Sequence, residues 1–324
     1  VARQTLEAWI PEEYGSNVIT RIVRTSAVEL FGRAEPMKSD TKHVPRNGAV
    51  DVDVIPKGGV YTEDQGTMDE VLLTARKLGR VVRLAEEDLA DAPEDVIAQK
   101  QEDWGTGYAI TFDNATLAVT AAENGTTVPF TSVYAQVRAA GPADDIAYAA
   151  NANYLTLSNA AIAGTGAGAK ALPYTAFSNL LGLVESGQFY DEGGMVMMAH
   201  PFFKKVWRNT MTDQGQPLFL ANGASVGANG QTITMDTLFG IPVKWTLGAK
   251  TSPTKTRNPL GNPIAVIGPR NLLIVGKRSG PESVVIPGRD GASALTDETL
   301  LKMRARRGFN IGHPAAFAVL ESVA

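Results

Sequence analysis

The feature that most constrains this chain is how much of its N-terminal quarter cannot bury itself. Residues 1–40 are punctuated by Pro11, Gly15, Gly32 and Pro36, and only 17–31 (NVITRIVRTSAVELF) is long and apolar enough for one element. Residues 47–77 then read as a long hairpin. "AVDVDVIP" alternates valine with acid, as a strand with one wet face does; "PKGGVY" supplies a turn, and "DEVLLTARKLGRVVRL" returns. Thr67 with Glu70 also fits a capping box, so a short helix on the return is a rival reading. A two-stranded ribbon alone is marginal in water. Arm and hairpin must lie against something else.

Charge along this region is segregated. Asp51, Asp53, Glu63, Asp64, Asp69 and Glu70 face only Lys57 between 51 and 70, whereas Arg76, Lys77, Arg80 and Arg83 follow with no acid. Over the 324 residues the formal net charge is −4, which argues against a chain whose main task is gripping nucleic acid. Cysteine is absent, which excludes disulfides and cysteine–zinc sites. No apolar run approaches the ~18 residues of a membrane span. The opening VARQTLEAW lacks a charged-then-apolar signal pattern, and Val1 fits either a processed end or a start codon read literally.

The clearest helix follows the hairpin. Asp91 and Glu94 flank Pro93 at its start, and Ile97, Trp104, Tyr108, Phe112 and Ala115 recur at helical spacing toward Leu117. Eight acids face Lys100 alone between 86 and 103. Residues 118–172 are rich in Ala, Gly, Thr and Asn, with strand-like pieces such as "TTVPFTSVY". Residues 174–250 read as a compact α+β unit: a helix "YTAFSNLLGLVES", a buried strand "GMVMMA", a basic aromatic helix, then a hairpin around "LFGIPVKW". "IAVIGPRNLLIV" gives two short strands split by a turn. In the tail, Lys302, Arg304 and Arg306 fall at every second residue, so one strand face is cationic while Met303 and Ala305 point the other way.

No catalytic grammar emerges. There is no G-x-S-x-G, H-E-x-x-H or triad spacing around His43, His200 or His313. The carboxylate pairs Glu12/Glu13, Glu86/Glu87 and Asp144/Asp145 are ordinary for helix ends and loops. "GTGAGAK" at 164–170 lacks the Gly-Lys-Ser/Thr of a phosphate loop, and His200 before Pro201 reads as a helix cap. Trp207 near Lys204, Lys205 and Arg208 suggests base stacking, but Phe203 and Trp207 sit four apart and are better read as buried together. The reading is of no enzyme, no cofactor and no metal.

Read in order, "EEDLAD" (86–91), "FDNATL" (112–117), "HPFFKKVWRNTMTDQGQPLF" (200–219), "LFGIPVKWT", "AVIGPRNLLIVGKRSG", "LLKMRARRGF" and "HPAAFAVL" resemble the major capsid proteins of tailed bacteriophages. Encapsulin nanocompartments share that fold. The resemblance covers about the whole chain; each motif alone is weak, and their order and spacing carry it.

The resemblance implies an α+β, Hong Kong 97-like major capsid fold. Its parts would be an N-terminal arm (1–40), an E-loop region (41–82), a peripheral domain with a long spine helix (83–173), an axial domain (174–276), peripheral return strands (277–311) and a C-terminal strand (312–324). It implies hexamers and pentamers in an icosahedral shell around double-stranded DNA, built in the host cytoplasm with a scaffolding protein, a portal and a decoration protein as partners, and no membrane. The alternative is an encapsulin shell around a cargo enzyme. Some members carry a cleaved N-terminal scaffolding region, so either that region was removed or a separate protein serves. Some weld subunits through a lysine–asparagine bond; Lys57 is the lysine near the hairpin tip, but 290–300 holds no asparagine, so crosslinking is not expected. The expected assembly contacts are Asp51, Asp53, Lys57, Glu63 and Asp64 of the hairpin against Lys302, Arg304 and Arg306, or the acidic spine helix against that cationic face within one chain.

Overall fold

The computed structural model describes residues 24–47, 52–61, 63, 68–91, 96–141, 148–158, 172–208, 220–226, 232–287 and 297–323. In chain order the elements begin with α1 (Ala27–Phe31), β1 (Arg33–Pro36), β2 (Thr41–Asn47), β3 (Met68–Thr74) and β4 (Arg76–Ala85). Helices α2 (Glu86–Asp91), α3 (Val96–Leu117) and α4 (Val133–Arg138) precede β5 (Tyr154–Ser158) and α5 (Leu172–Glu185). Next come β6 (Met195–Ala199), α6 (Phe202–Arg208), β7 (Leu220–Val226), β8 (Thr232–Leu238) and β9 (Ile241–Trp245). The last are β10 (Ile264–Pro269), β11 (Leu273–Ile286), β12 (Glu298–Ile311) and β13 (Ala318–Val323).

Two large sheets result. One has the order β1-β11-β12-β4, with β1 parallel to β11 and the other pairs antiparallel. The other has the order β5-β13-β10-β6-β9-β8-β7. Its middle strands β6, β10 and β13 are buried almost throughout, which is why their sequences are continuous apolar runs rather than alternating ones. On one face α5 and α6 pack Phe177, Leu180, Phe203 and Trp207 against Met197 and Ile267. The other face, through Met198, Val266 and Val319, joins the cluster around Phe112 and Phe309 that also holds the four-stranded sheet. One continuous core therefore serves both sheets. β5, from the 83–173 stretch, and β13, from 312–324, lie side by side in the seven-stranded sheet.

Helix α3 spans 22 residues, about 33 Å at ~1.5 Å each. Trp104, Tyr108 and Phe112 stack along it at 5.4 and 5.8 Å between ring centroids, and Phe112 meets Phe130 edge-on. It begins at Val96, later than the Asp91 and Glu94 cap reading; Asp91 instead ends α2, and 92–95 lie outside the described residues.

Several local expectations give way. Of the strand expected at "AVDVDVIP", residues 52–56 carry none and 49–51 lie outside the described residues; the hairpin's first described strand is β2, paired with β3 from Thr41↔Thr74 to Asn47↔Met68. Pairing holds where Leu73 and Val71 find Met37 and Ile274 to pack on; among the described residues Val52 and Val54 find no such partner and stay 94% and 98% exposed. Met68–Thr74 is strand, so the capping-box helix does not form. "TTVPFTSVY" is no strand either. Asn124 folds its carboxamide oxygen onto the Thr126 and Val128 N–H groups, Phe130 plugs the core, and the Ser132 hydroxyl accepts from Ala135 N–H to start α4. The second strand of "IAVIGPRNLLIV" is long rather than short, running 14 residues to Ile286.

What joins these parts is the polar end of α3. Fully buried Asp113 accepts from the Ser26 hydroxyl (2.5 Å), Ala27 N–H (3.0 Å), Val28 N–H (3.2 Å) and the Thr246 hydroxyl (2.6 Å). It thus caps α1 from 85 residues or more away and ties it to the turn after β9. Asn114 donates to the Gly248 and Lys250 carbonyls (3.1 and 2.9 Å) and accepts from the Ser252 hydroxyl and Thr256 N–H (2.9 and 3.1 Å). Gly248 is required there, because a Cβ would lie 2.6 Å from Asn114 N. Each buried donor left without its acceptor costs about 1–3 kcal/mol. Asp113→Ala is therefore expected to lower unfolding stability by about 3 kcal/mol or more, and Asp113→Asn by less, read from urea denaturation midpoints.

Candidate assembly surfaces

The hairpin tip is the most exposed apolar segment described. Val52, Val54, Val60 and Tyr61 are all more than four-fifths exposed, and a turn at Lys57–Gly58, with Gly58 at φ 86° and Gly59 N–H donating to the Pro56 carbonyl, folds the segment back. Asp53, Lys57 and Glu63 are exposed on it, while Asp51 and Asp64 lie outside the described residues. Lower on the hairpin the acids are already engaged. Asp69 pairs with Arg46, and Glu70 lies 2.7 Å from His43 Nδ1. A backbone N–H from Glu70 and the Arg46 guanidinium hold Asp69 below the usual carboxylate range.

The cationic strand face exists as the alternation suggests. Along β12, Lys302, Arg304 and Arg306 are half-buried while Leu301, Met303 and Ala305 are buried. Lys302 sits between Val81 and Val284, Arg304 between Gly79 and Glu282, and Arg306 between Lys77 and Ser279. Arg304 Nε bonds Glu282 Oε2 at 3.1 Å within the sheet. Among the described residues, Lys302, Arg306, Lys57 and Glu63 form no ion pair. Helix α3 packs on the other face, where Gln101 donates to the Ser283 hydroxyl (3.0 Å) and Tyr108 and Phe112 meet Ala305 and Phe309. Helix α3 thus lies across the sheet from Lys302, Arg304 and Arg306.

Periodicity did not single out Arg307, yet it carries much of the interior. It follows Met303 and Ala305 on the inward face of β12, and its Nε donates to Glu29 of α1 (2.5 Å). Glu29 also accepts from the Tyr108 hydroxyl (2.8 Å), whose pKa is pushed up by burial and by that carboxylate. A second cluster gathers on Glu321 of β13, which accepts from Tyr134 (2.8 Å), Tyr154 and Asn262 (2.7 Å), with Arg138 stacked over both tyrosine rings. These groups are saturated by one another, which suits joints rather than reaction centres. No three His, Asp or Glu side chains among the described residues are grouped to hold a metal.

The basic aromatic helix is likewise a packing element. Phe203 and Trp207 are buried, with Phe177 edge-on to Trp207 at 4.6 Å, while Lys204 reaches Asp236 at 2.9 Å and Lys205 faces outward. His200 caps the helix: its Nδ1 accepts from Phe202 N–H at 3.1 Å. Residues 209–219, the second half of that motif, lie outside the described residues. "LFGIPVKW" forms the β8–β9 hairpin through Phe239 and Gly240, both at positive φ, as a tight two-residue turn demands.

The comparisons agree with this geometry. The model of the Phage capsid family matches residues 8–322. The chain belongs to the phage capsid family and is a structural major capsid protein of the virion. No curated protein sequence matches it. Among solved structures it resembles one titled Mycobacterium phage Ogopogo at TM-score 0.70 and 14% identity, covering 100% of both chains. It also resembles the capsid of an empty GTA particle at TM-score 0.64 and 13% identity, over 98% of this chain and 97% of that one. A third likeness is to the mature capsid of bacteriophage PhiM1, at TM-score 0.62 and 11% identity, over 97% and 92% of the two chains. At such identities the likeness is one of fold.

His200 makes the fold pH-sensitive. Burial, with Lys250 nearby, holds its pKa down to about 4 from 6.5. Between those values the unfolded chain binds a proton that the folded chain refuses, so stability falls as pH drops through that window. His200→Asn, which keeps a capping acceptor, is expected to flatten stability between pH 6.5 and 4, measured as urea midpoints against pH.

Proposed function

We propose that copies of this chain assemble as hexamers and pentamers into a closed icosahedral shell around double-stranded DNA in the host cytoplasm. Its partners there are a scaffolding protein, a portal and a decoration protein, and its work is contact rather than catalysis. The observation that carries this reading is the hairpin tip, whose Val52, Val54, Val60 and Tyr61 stand 81–98% exposed. Such a cluster in a free subunit favours neither solubility nor order, and it gains both when it lies on a neighbour. Many modest contacts repeated around a shell then add. No observation favours the nanocompartment alternative.

The hairpin tip, with Asp51, Asp53, Glu63 and Asp64, meets the Lys302, Arg304 and Arg306 face of an adjacent copy; Lys57 sits at the turn that presents it. The support is complementary charge on two exposed surfaces. The spine helix does not compete for those cations, because it packs on the sheet's other face. An exposed pair contributes roughly 0–1 kcal/mol and is screened by salt, so the effect rests on repetition.

Deleting 52–66 and closing the gap with a short glycine linker is expected to leave a folded subunit, by circular dichroism, yet no closed shells in electron micrographs. Normal shells from that deletion would sink the hairpin's role in assembly. Arg304→Glu is expected to cut shell yield several-fold, and Asp53→Lys or Glu63→Lys to restore part of it. Glu282→Gln serves as the control for the pair within the sheet. If Arg304→Glu assembles at the normal yield in low salt, the cationic strand is only a solvated face.

A further inference from the structure

Strand β11 changes character halfway along. Residues 273–276 are buried, and 280–285 are all exposed. The break falls where β1 stops: β1 covers Ile274–Lys277, and among the described residues no strand pairs with the outer edge of β11 beyond Lys277. Val284 and Val285 point to opposite faces of the sheet, yet they are 42% and 43% exposed. Their partners across β12, Lys302 and Leu301, include a fully buried leucine. Exposure on both faces at once is what a missing lateral strand produces.

This edge is blunted only at its ends, by Pro281 and Pro287 and by the register shifts between Lys277 and Glu282. Natural sheet edges are commonly blunted by charge or proline. Here "ESVVI" (282–286) runs between Pro281 and Pro287 with Glu282 as its one charge, and that carboxylate is turned to Arg304. Over these five residues, about 16 Å at ~3.3 Å per residue, every second one turns its N–H and C=O away from β12 toward the open edge.

The chain contains a segment with the opposite deficiency. "VDVI" (52–55) alternates as a strand should, is closed by Pro56, and carries no strand among the described residues. Its valines are the most exposed apolar side chains in the structure. It holds an acid and no base, whereas the sheet it would extend presents Lys302 and Arg304 beside Val284. The two lengths match to within a residue.

We propose that residues 52–55 of a second copy add to the open edge of β11 at 282–286 as a further strand. The bond is main-chain β-augmentation, with valine packing on valine and Asp53 near the cationic face. This rests on the shell reading and deepens it, because it names the strand that receives the hairpin and the kind of bond that holds it. The contact is heterologous, each copy giving one segment and receiving another, so repetition closes into rings.

The absence of cysteine permits a direct test. Val54→Cys is combined in turn with Ser283→Cys, Val284→Cys and Val285→Cys, and shells formed under reduction are then oxidised. Opposed strand residues have Cβ atoms ~4.5–5.5 Å apart, near what a disulfide spans. At least one pair is expected to give a covalent ladder ending at five and six chains, and the single variants none. Amide exchange at 282–286 is expected to slow at least tenfold on assembly. Shells that form with no ladder and with fast exchange at 282–286 overturn the pairing while the shell reading stands. A ladder obtained with Thr5→Cys in place of Val54→Cys assigns the edge to the N-terminal segment and overturns it equally. Failure of the unmodified chain to form shells overturns the shell reading, and this inference with it.

Discussion

The structure depends on two adjacent side chains at the end of the long helix. Asp113 and Asn114 point to different sides of α3 and between them take up eight donors and acceptors from two distant segments, 26–28 and 246–256. Asp113 satisfies the start of α1 together with the Ser26 hydroxyl, which accepts from Glu29 N–H. Asn114 holds the chain that runs from the seven-stranded sheet back toward β10. A buried carboxylate with no cation beside it is costly, and burial pushes its pKa up while the surrounding hydrogen bonds pull it down. Hydrogen bonds, which are directional where apolar contacts are not, set the angle at which helix, arm root and sheet meet.

The helix α1 fixed in this way spreads the constraint further. Glu29, in the first turn of that helix, receives both Arg307 from β12 and Tyr108 from α3. The two sheets are thus braced through one short helix, with Phe112, Phe130 and Phe309 packed edge to face between them. A subunit braced in this manner presents its hairpin and its cationic strand at a set separation, as a repeating contact needs. The joints are inside and the adhesive surfaces are outside, and they use different residues.

Much of this was legible in the sequence where periodicity is local. The helical spacing of Trp104, Tyr108 and Phe112, the apolar runs of β6 and β10, the alternation of Lys302, Arg304 and Arg306, and the His200 cap all express neighbours within a few residues. The polar joints were not legible, because Asp113 looks like any acid on a helix until Ser26 and Thr246 arrive from far along the chain. Arg307 was passed over beside Arg306: the alternation that faces Met303 and Ala305 inward faces Arg307 inward too, but its partner Glu29 lies far along the chain. The displaced hairpin strand has another cause. Alternation in 49–56 reports a propensity to pair, and 52–55 meet no partner strand among the described residues.

The position of β13 has a consequence for synthesis. It lies between β10 and β5, so the middle of the seven-stranded sheet stays open until residues 318–323 have emerged. A nascent chain that has already made β5 must wait through some 160 further residues before that strand finds its parallel neighbour. Glu321 arrives with the same strand, so Tyr134, Tyr154 and Asn262 lack their acceptor for as long. Contacts so distant along the chain form slowly, and a partly made chain exposes apolar strands meanwhile. A chain that lacks residues 318–323 therefore leaves β5 without its parallel neighbour and these three donors without their acceptor.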